Sequence, residues 1–82
     1  MGHPSIQLFG ETVRHFRKLL NITQEELADK AGFHRTYIGQ IERSERNPAF
    51  KNVVMLCQAL QVPLSEFFSH YEGLCKPTNE KA

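Results

Sequence analysis

The 82-residue chain lacks the features that most functional classes require. It has two cysteines, Cys57 and Cys75. Their spacing makes no zinc pattern and no disulfide framework, so a reducing cytoplasm is the expected compartment. His3, His15, His34 and His70 share no ligand spacing with one another or with either cysteine, which excludes a recognisable metal site. No Ser-His-Asp or Cys-His context surrounds a nucleophile, and no glycine-rich phosphate loop occurs. Catalysis, cofactors and small-molecule ligands are therefore not expected. No apolar run approaches the roughly 18 residues of a membrane span. Met1-Gly2-His3-Pro4-Ser5 has neither a basic nor an apolar leader character, so no secretory signal is expected.

What remains is an ordinary globular composition, 40% hydrophobic and 23% charged, at a length that makes one small domain. A chain of this size buries about 63% of its unfolded surface, enough for one core but not for a core and a deep cleft. The net charge is only +1, yet it is unevenly distributed. Residues 1–22 carry +2, residues 23–33 carry −2, and residues 34–51 carry +2 through Arg35, Arg43, Arg46 and Lys51 against Glu42 and Glu45. Phosphate binding depends on local potential, so a near-neutral chain can hold a basic face. A mixed solvated surface accounts for the same distribution equally well.

The hydrophobic pattern is helical throughout. Phe9, Val13, Phe16 and Leu20 form an apolar stripe that predicts a helix over residues 6–20, with Ser5 as its cap. Thr23-Gln24-Glu25-Glu26 reads as a capping box flanked by the staple pair Ile22 and Leu27. It opens a second helix that stops at Gly32, a good left-handed residue. A third helix, about Arg35–Arg43, turns Ile38 and Ile41 inward behind the weak cap His34. After the polar loop Ser44–Pro48, a fourth helix over Phe50–Leu60 buries Val53, Leu56 or Cys57, and Leu60. A short fifth helix carries Leu64, Phe67, Phe68 and Tyr71. From Gly73 the composition predicts a flexible tail, so the domain is drawn as 6–72 and the tail as 73–82.

Two short helices joined by a glycine turn, the second rich in polar residues, match a helix-turn-helix, although any small helical bundle can share that outline. More specifically, Thr23-Gln24-Glu25-Glu26-Leu27-Ala28, Gly32, Ile38, Ile41-Glu42, Asn47-Pro48 and Ala59-Leu60-Gln61-Val62 stand at spacings that resemble the phage repressor/Cro-type helix-turn-helix family over about residues 9–68. The run from His34 to Arg43, with Arg46-Asn47, looks most like restriction–modification controller proteins. The resemblance implies an all-α, five-helix repressor-like bundle. It also implies a sequence-specific regulator of transcription that binds double-stranded DNA as a homodimer on a palindromic operator, with paired dimers a further possibility on adjacent sites. An antitoxin or immunity-type repressor with a protein partner, and a protein–protein adaptor on the same fold, are the alternatives. The latter would expose an apolar groove on the third helix, where this sequence has Arg35, Thr36, Gly39 and Gln40.

In a major groove, the leading residues of the third helix meet base edges. Arg35 suits guanine O6 and N7, Thr36 a thymine methyl or a base edge, and Gln40 adenine. Gln24, at a helix N-terminus, matches a phosphate contact of the family. Tyr37, Arg43, Arg46 and Asn47 are placed for the DNA backbone, where contacts set register rather than sequence. For each of these the plain alternative is a solvated polar residue. Arg17 and Glu42 match a structural ion pair of the family. Val62, Leu64, Phe67, Phe68 and Tyr71 form an apolar surplus expected at the dimer interface. Three residues depart from the family: the cap His34, Ser44 where the loop often has glycine, and Ala49 where a capping Ser or Thr is usual. Ser44 is thus expected to disturb the usual left-handed turn. Asn47, with Pro48 at the first helical position, is the substitute cap available to the fourth helix.

Overall fold

Each apolar stripe in the sequence becomes one face of a helix, and the faces meet in a single core. In the computed structural model, which describes residues 4–75, five α-helices follow in order: α1 Pro4–Leu19, α2 Gln24–Ala31, α3 Arg35–Glu42, α4 Phe50–Leu60 and α5 Leu64–Cys75. No strand occurs among the described residues. α1 packs on α3 and α5, and α2 packs on α3 and α4. Val13, Leu27, Ile38, Ile41, Leu56 and Phe67 are fully enclosed at the centre, with Cys57 beside them. Both Leu56 and Cys57 face inward, and burial pushes the Cys57 thiol up to about 11, which makes it a small core residue and a poor nucleophile. Cys75 is free and exposed.

The first four helices end by one shared device. A residue one or two positions past the helix turns left-handed, and the next amide bonds back to a carbonyl five residues earlier. Asn21 (φ 60°), Gly32 (φ 82°), Ser44 (φ 66°) and Gln61 (φ 62°) take that conformation. The amides of Ile22, Phe33, Glu45 and Val62 donate to Arg17, Ala28, Gln40 and Cys57 respectively. Ser44 therefore makes the left-handed turn expected only of glycine. The two bonds of its loop, 3.0 and 2.7 Å, outweigh the steric cost of about 1–2 kcal/mol.

Other boundaries also differ from the sequence reading. α1 opens at Pro4, a residue suited to a first helical position, so Ser5 lies inside the helix. α5 continues through Gly73 to Cys75, past the boundary drawn at 72; residues 76–82 lie outside the described residues. Ala49 is the cap residue of α4 and no side chain caps it, so Asn47 is not a substitute and Pro48 precedes the helix. The α2 capping box is as expected: the Glu26 amide donates to Thr23 Oγ1 at 3.0 Å and the Thr23 amide to Glu26 Oε1 at 2.8 Å. His34 caps α3 with backbone alone.

Glu42, the last residue of α3, ties three helices together. Its side chain is 0% exposed and accepts a two-point fork from Arg17 of α1, at 2.7 and 3.1 Å. Arg17 also donates to the Ile22 carbonyl at 2.9 Å. Gln24 of α2 donates to Glu42 Oε1 at 3.0 Å, and Arg14 approaches the same oxygen at 3.4 Å. Burial works to raise the Glu42 pKa, but these donors together hold it below the usual carboxylate value. On the other side of α1, Phe67 sits between Phe9 and Phe16 with ring centroids 5.4 and 5.8 Å away. His15 and His70 stack in parallel at 3.8 Å, linking α1 to α5. Burial, then the His70 charge, lowers the His15 pKa.

α1 can lie this close to the end of α3 because residue 10 is glycine. A Cβ there would stand 2.5 Å from the Ile41 carbonyl oxygen and 3.0 Å from that of Glu42, both backbone atoms. Gly10→Ala is expected to lower stability by about 1–3 kcal/mol in denaturant unfolding, despite alanine's better helix propensity; equal or greater stability would contradict the close approach. Glu42→Gln should cost about 3 kcal/mol at pH 7 by leaving Arg17 without its countercharge. Because folding depresses the Glu42 pKa, its contribution is present above the ordinary value of 4.5 and fades as pH falls through the folded value. The stability gap between wild type and variant must therefore narrow in acid, and a gap independent of pH would refute the ionised hub.

Candidate nucleic-acid interface

α2 and α3 present a polar cleft built from both helices. Gln24 at the start of α2 and Arg35, Thr36, Gly39 and Arg43 along α3 line it together. Residues 35, 39 and 43 recur every fourth position, so they form one ridge of the helix. Arg35 and Thr36 are exposed at its leading end, and Gln40 is half-buried one turn on. Four of the residues singled out in the sequence, Gln24, Arg35, Thr36 and Arg43, thus converge, with Gly39 as the cleft floor. Gly39 differs from Gly10: a Cβ there would meet only the flexible Arg43 guanidinium at 3.0 Å and the Gln24 amide oxygen at 3.6 Å.

Gln24 has a second role that the sequence reading missed. Its amide is held by Glu42, so the residue at the mouth of α2 is fixed by the same carboxylate that fixes α3. Arg14 was missed for a similar reason: it lies one helical turn before Arg17, a spacing equally consistent with a solvated arginine, and only the crossing of α1 over α3 brings it to Glu42. Arg43 forks to Glu45 at 3.0 and 3.2 Å in an exposed pair; that bond raises the Arg43 pKa and lowers that of Glu45. Such a pair is worth little in water and can open toward another anion.

Beside the cleft, Tyr37 points to the α3–α4 junction. Its ring packs on Phe33 at 4.9 Å, the Arg46 guanidinium lies 5.2 Å from its centroid, and its hydroxyl accepts from Asn52. Asn47 lies away from the cleft and lines a separate groove, with Ile6, Phe9, Pro48, Phe50, Val53, Phe68 and Tyr71. The five apolar residues expected at the dimer interface are placed differently from one another. Phe67 is 0% and Val62 9% exposed within one chain, so neither is available to a partner. Leu64 is exposed but lies outside the groove, whereas Phe68 and Tyr71 belong to it. Phe50, 69% exposed at the groove's edge, opened the fourth helix in the sequence reading but was not among the expected interface residues; its position at the start of a helix gave no periodic signal.

No group of three or more metal-ligating side chains occurs among the described residues. No helix among them is long and apolar enough to cross a membrane.

The geometry agrees with comparisons against known proteins. The helix-turn-helix family model HTH_3 matches residues 13–67. Control protein C.SmaI of Serratia marcescens is 38% identical over 68 residues, covering 83% of this chain and 80% of that one. Control protein C.BamHI of Bacillus amyloliquefaciens is 45% identical over 56 residues, covering 67% and 69%. The restriction–modification controller protein C.Esp1396I, solved as a tetramer in complex with its natural 35-base-pair operator, has the same fold at a TM-score of 0.83 and 30% identity, over 87% of this chain and 93% of that one. The chain belongs to the helix-turn-helix family of phage repressor type, which includes these restriction–modification controller proteins.

Proposed function

We propose that the chain is a sequence-specific DNA-binding regulator of transcription, of the restriction–modification controller type, acting as a homodimer on a palindromic operator. The carrying observation is the exposed side chains of Arg35, Thr36 and Arg43 over the Gly39 floor, joined to Gln24 in one polar cleft and held by Glu42. A rigid helix bearing a bidentate donor at its leading end is what the major groove requires. In this reading Arg35, Thr36 and Gln40 meet bases. Gln24, Tyr37, Arg43 and Arg46 meet phosphates, whereas Asn47, in the separate apolar groove, is the least supported of the expected backbone contacts. The polar face of α3 disfavours an adaptor, which would need an apolar one. The operator complex of C.Esp1396I supports DNA as the partner and more than one copy as the binding unit.

Energetics also call for a dimer. One recognition helix reads a few base pairs at roughly 1–3 kcal/mol each, short of the ~4–10 kcal/mol that separates specific from non-specific binding. The groove carrying Phe50, Phe68 and Tyr71 supplies an apolar surface for a second copy, with Phe50 as the anchor.

Three measurements test this reading. Arg35→Ala should lose about 1–3 kcal/mol on the preferred duplex and much less on duplexes altered at one guanine of each half-site. Arg46→Ala should weaken binding uniformly and reduce the slope of log affinity against log salt by about one per half-site. A uniform loss for Arg35→Ala would move that residue to the backbone. For the dimer, sedimentation equilibrium of Phe50→Lys should show dissociation raised more than about thirtyfold. A variant that pairs as tightly as wild type would place the interface elsewhere.

A further inference from the structure

Asn52 is not among the residues that line the α2–α3 cleft, yet its surroundings give it a role. It is the third residue of α4, whose cap Ala49 offers no side-chain acceptor. Asparagine is a poor helix former, tolerated where its side chain makes a specific bond. Here its Nδ2 donates to Tyr37 Oη at 2.9 Å, bridging α4 to α3. The tyrosine ring is also gripped by Phe33, at 4.9 Å, and by the Arg46 guanidinium, 5.2 Å from the centroid. Three segments therefore fix one hydroxyl.

The direction of that bond decides what the hydroxyl can do. A phenol has one proton to give and lone pairs to accept with. The Asn52 amide donates, so it occupies a lone pair and leaves the proton, which has no acceptor among the described residues. Accepting one hydrogen bond also strengthens the bond a hydroxyl donates. The group that results is an oriented donor, next to a guanidinium. Phosphate oxygens only accept.

On the reading that α3 lies against DNA, we infer that Asn52 is a positioning residue for the DNA backbone: it sets the Tyr37 hydroxyl as a donor to a phosphate oxygen beside Arg46. Asn52 itself touches no DNA. A purely structural strut between α3 and α4 would use the same bond, so the test must separate the two.

The probe is a duplex that the wild-type protein selects from a random library, together with an unrelated duplex of equal length. Tyr37→Phe and Asn52→Ala should each weaken binding about tenfold on both duplexes. The double variant should be no weaker than either single one, because Tyr37→Phe removes the donor that Asn52→Ala leaves unpositioned. The salt slope should not change, since a neutral donor releases no counterion. Additive losses, or affinities within twofold of wild type, would overturn the positioning role. A slope reduced by about one, as for Arg46→Ala, would assign the effect to the arginine and overturn it too. Asn52→Asp guards against an unfolded alanine variant: its carboxylate accepts the Tyr37 proton and reverses the bond. It should bind more weakly than Asn52→Ala, and this excess should vanish in a Tyr37→Phe background. An excess that persists there is charge repulsion and contradicts the proposal. If Arg35→Ala alters base preference while the Asn52 variants do nothing, this inference fails and the DNA reading stands. If the wild-type chain selects no duplex, both fail.

Discussion

A carboxylate with no exposed surface stays charged only if donors replace the water it has lost, and Glu42 gathers them from both neighbouring helices. Arg17 and Arg14 come from α1, Gln24 from α2, and the carboxylate itself from the end of α3. Neither the angle of α3 nor the position of Gln24 can shift without breaking a bond to this group. The exposed ridge of α3 inherits its orientation from that network. Gly10 completes the arrangement, letting α1 approach the Ile41 and Glu42 carbonyls closely enough for Arg17 to reach. Support for a rigid reading element thus comes from behind, and its outward face is free to be polar.

Features set by neighbouring residues were legible in the sequence. The α2 capping box is an exchange between Thr23 and Glu26, three positions apart, so spacing alone reveals it. Apolar stripes gave all five helices and most of the core, and the motif from Thr23 to Glu42 carried the family. Turn chemistry was only half legible. Gly32 and Asn21 are residue types that suit a left-handed turn, whereas Ser44 and Gln61 adopt the same φ under the pull of two backbone bonds that no side chain advertises. The α4 cap was misjudged because the chain leaves that end without a side-chain partner.

Features set by the crossing of distant helices were not legible. Phe67 and Phe68 are adjacent and equally apolar, and nothing local says which one faces α1. Packing decides: Phe67 fills the gap between Phe9 and Phe16, and Phe68 is left beside Tyr71 at the groove. Phe50 and Asn52 show the same limit at the start of α4. One is exposed and one bridges to Tyr37, and each role depends on residues more than ten positions away. Among candidate site residues, Gln24, Arg35, Thr36 and Arg43 were found by position within the motif, while their connection through Glu42 needed three dimensions.

Every functional statement rests on α3 reading DNA in two symmetric copies. Selection of bound duplexes from a random library by the wild-type chain tests that most directly. The account predicts a palindromic consensus whose half-sites lie about one helical turn, ~34 Å, apart or a multiple of it. Recovery of unrelated sequences, or of a single asymmetric site bound by a 9.4 kDa monomer, would contradict it.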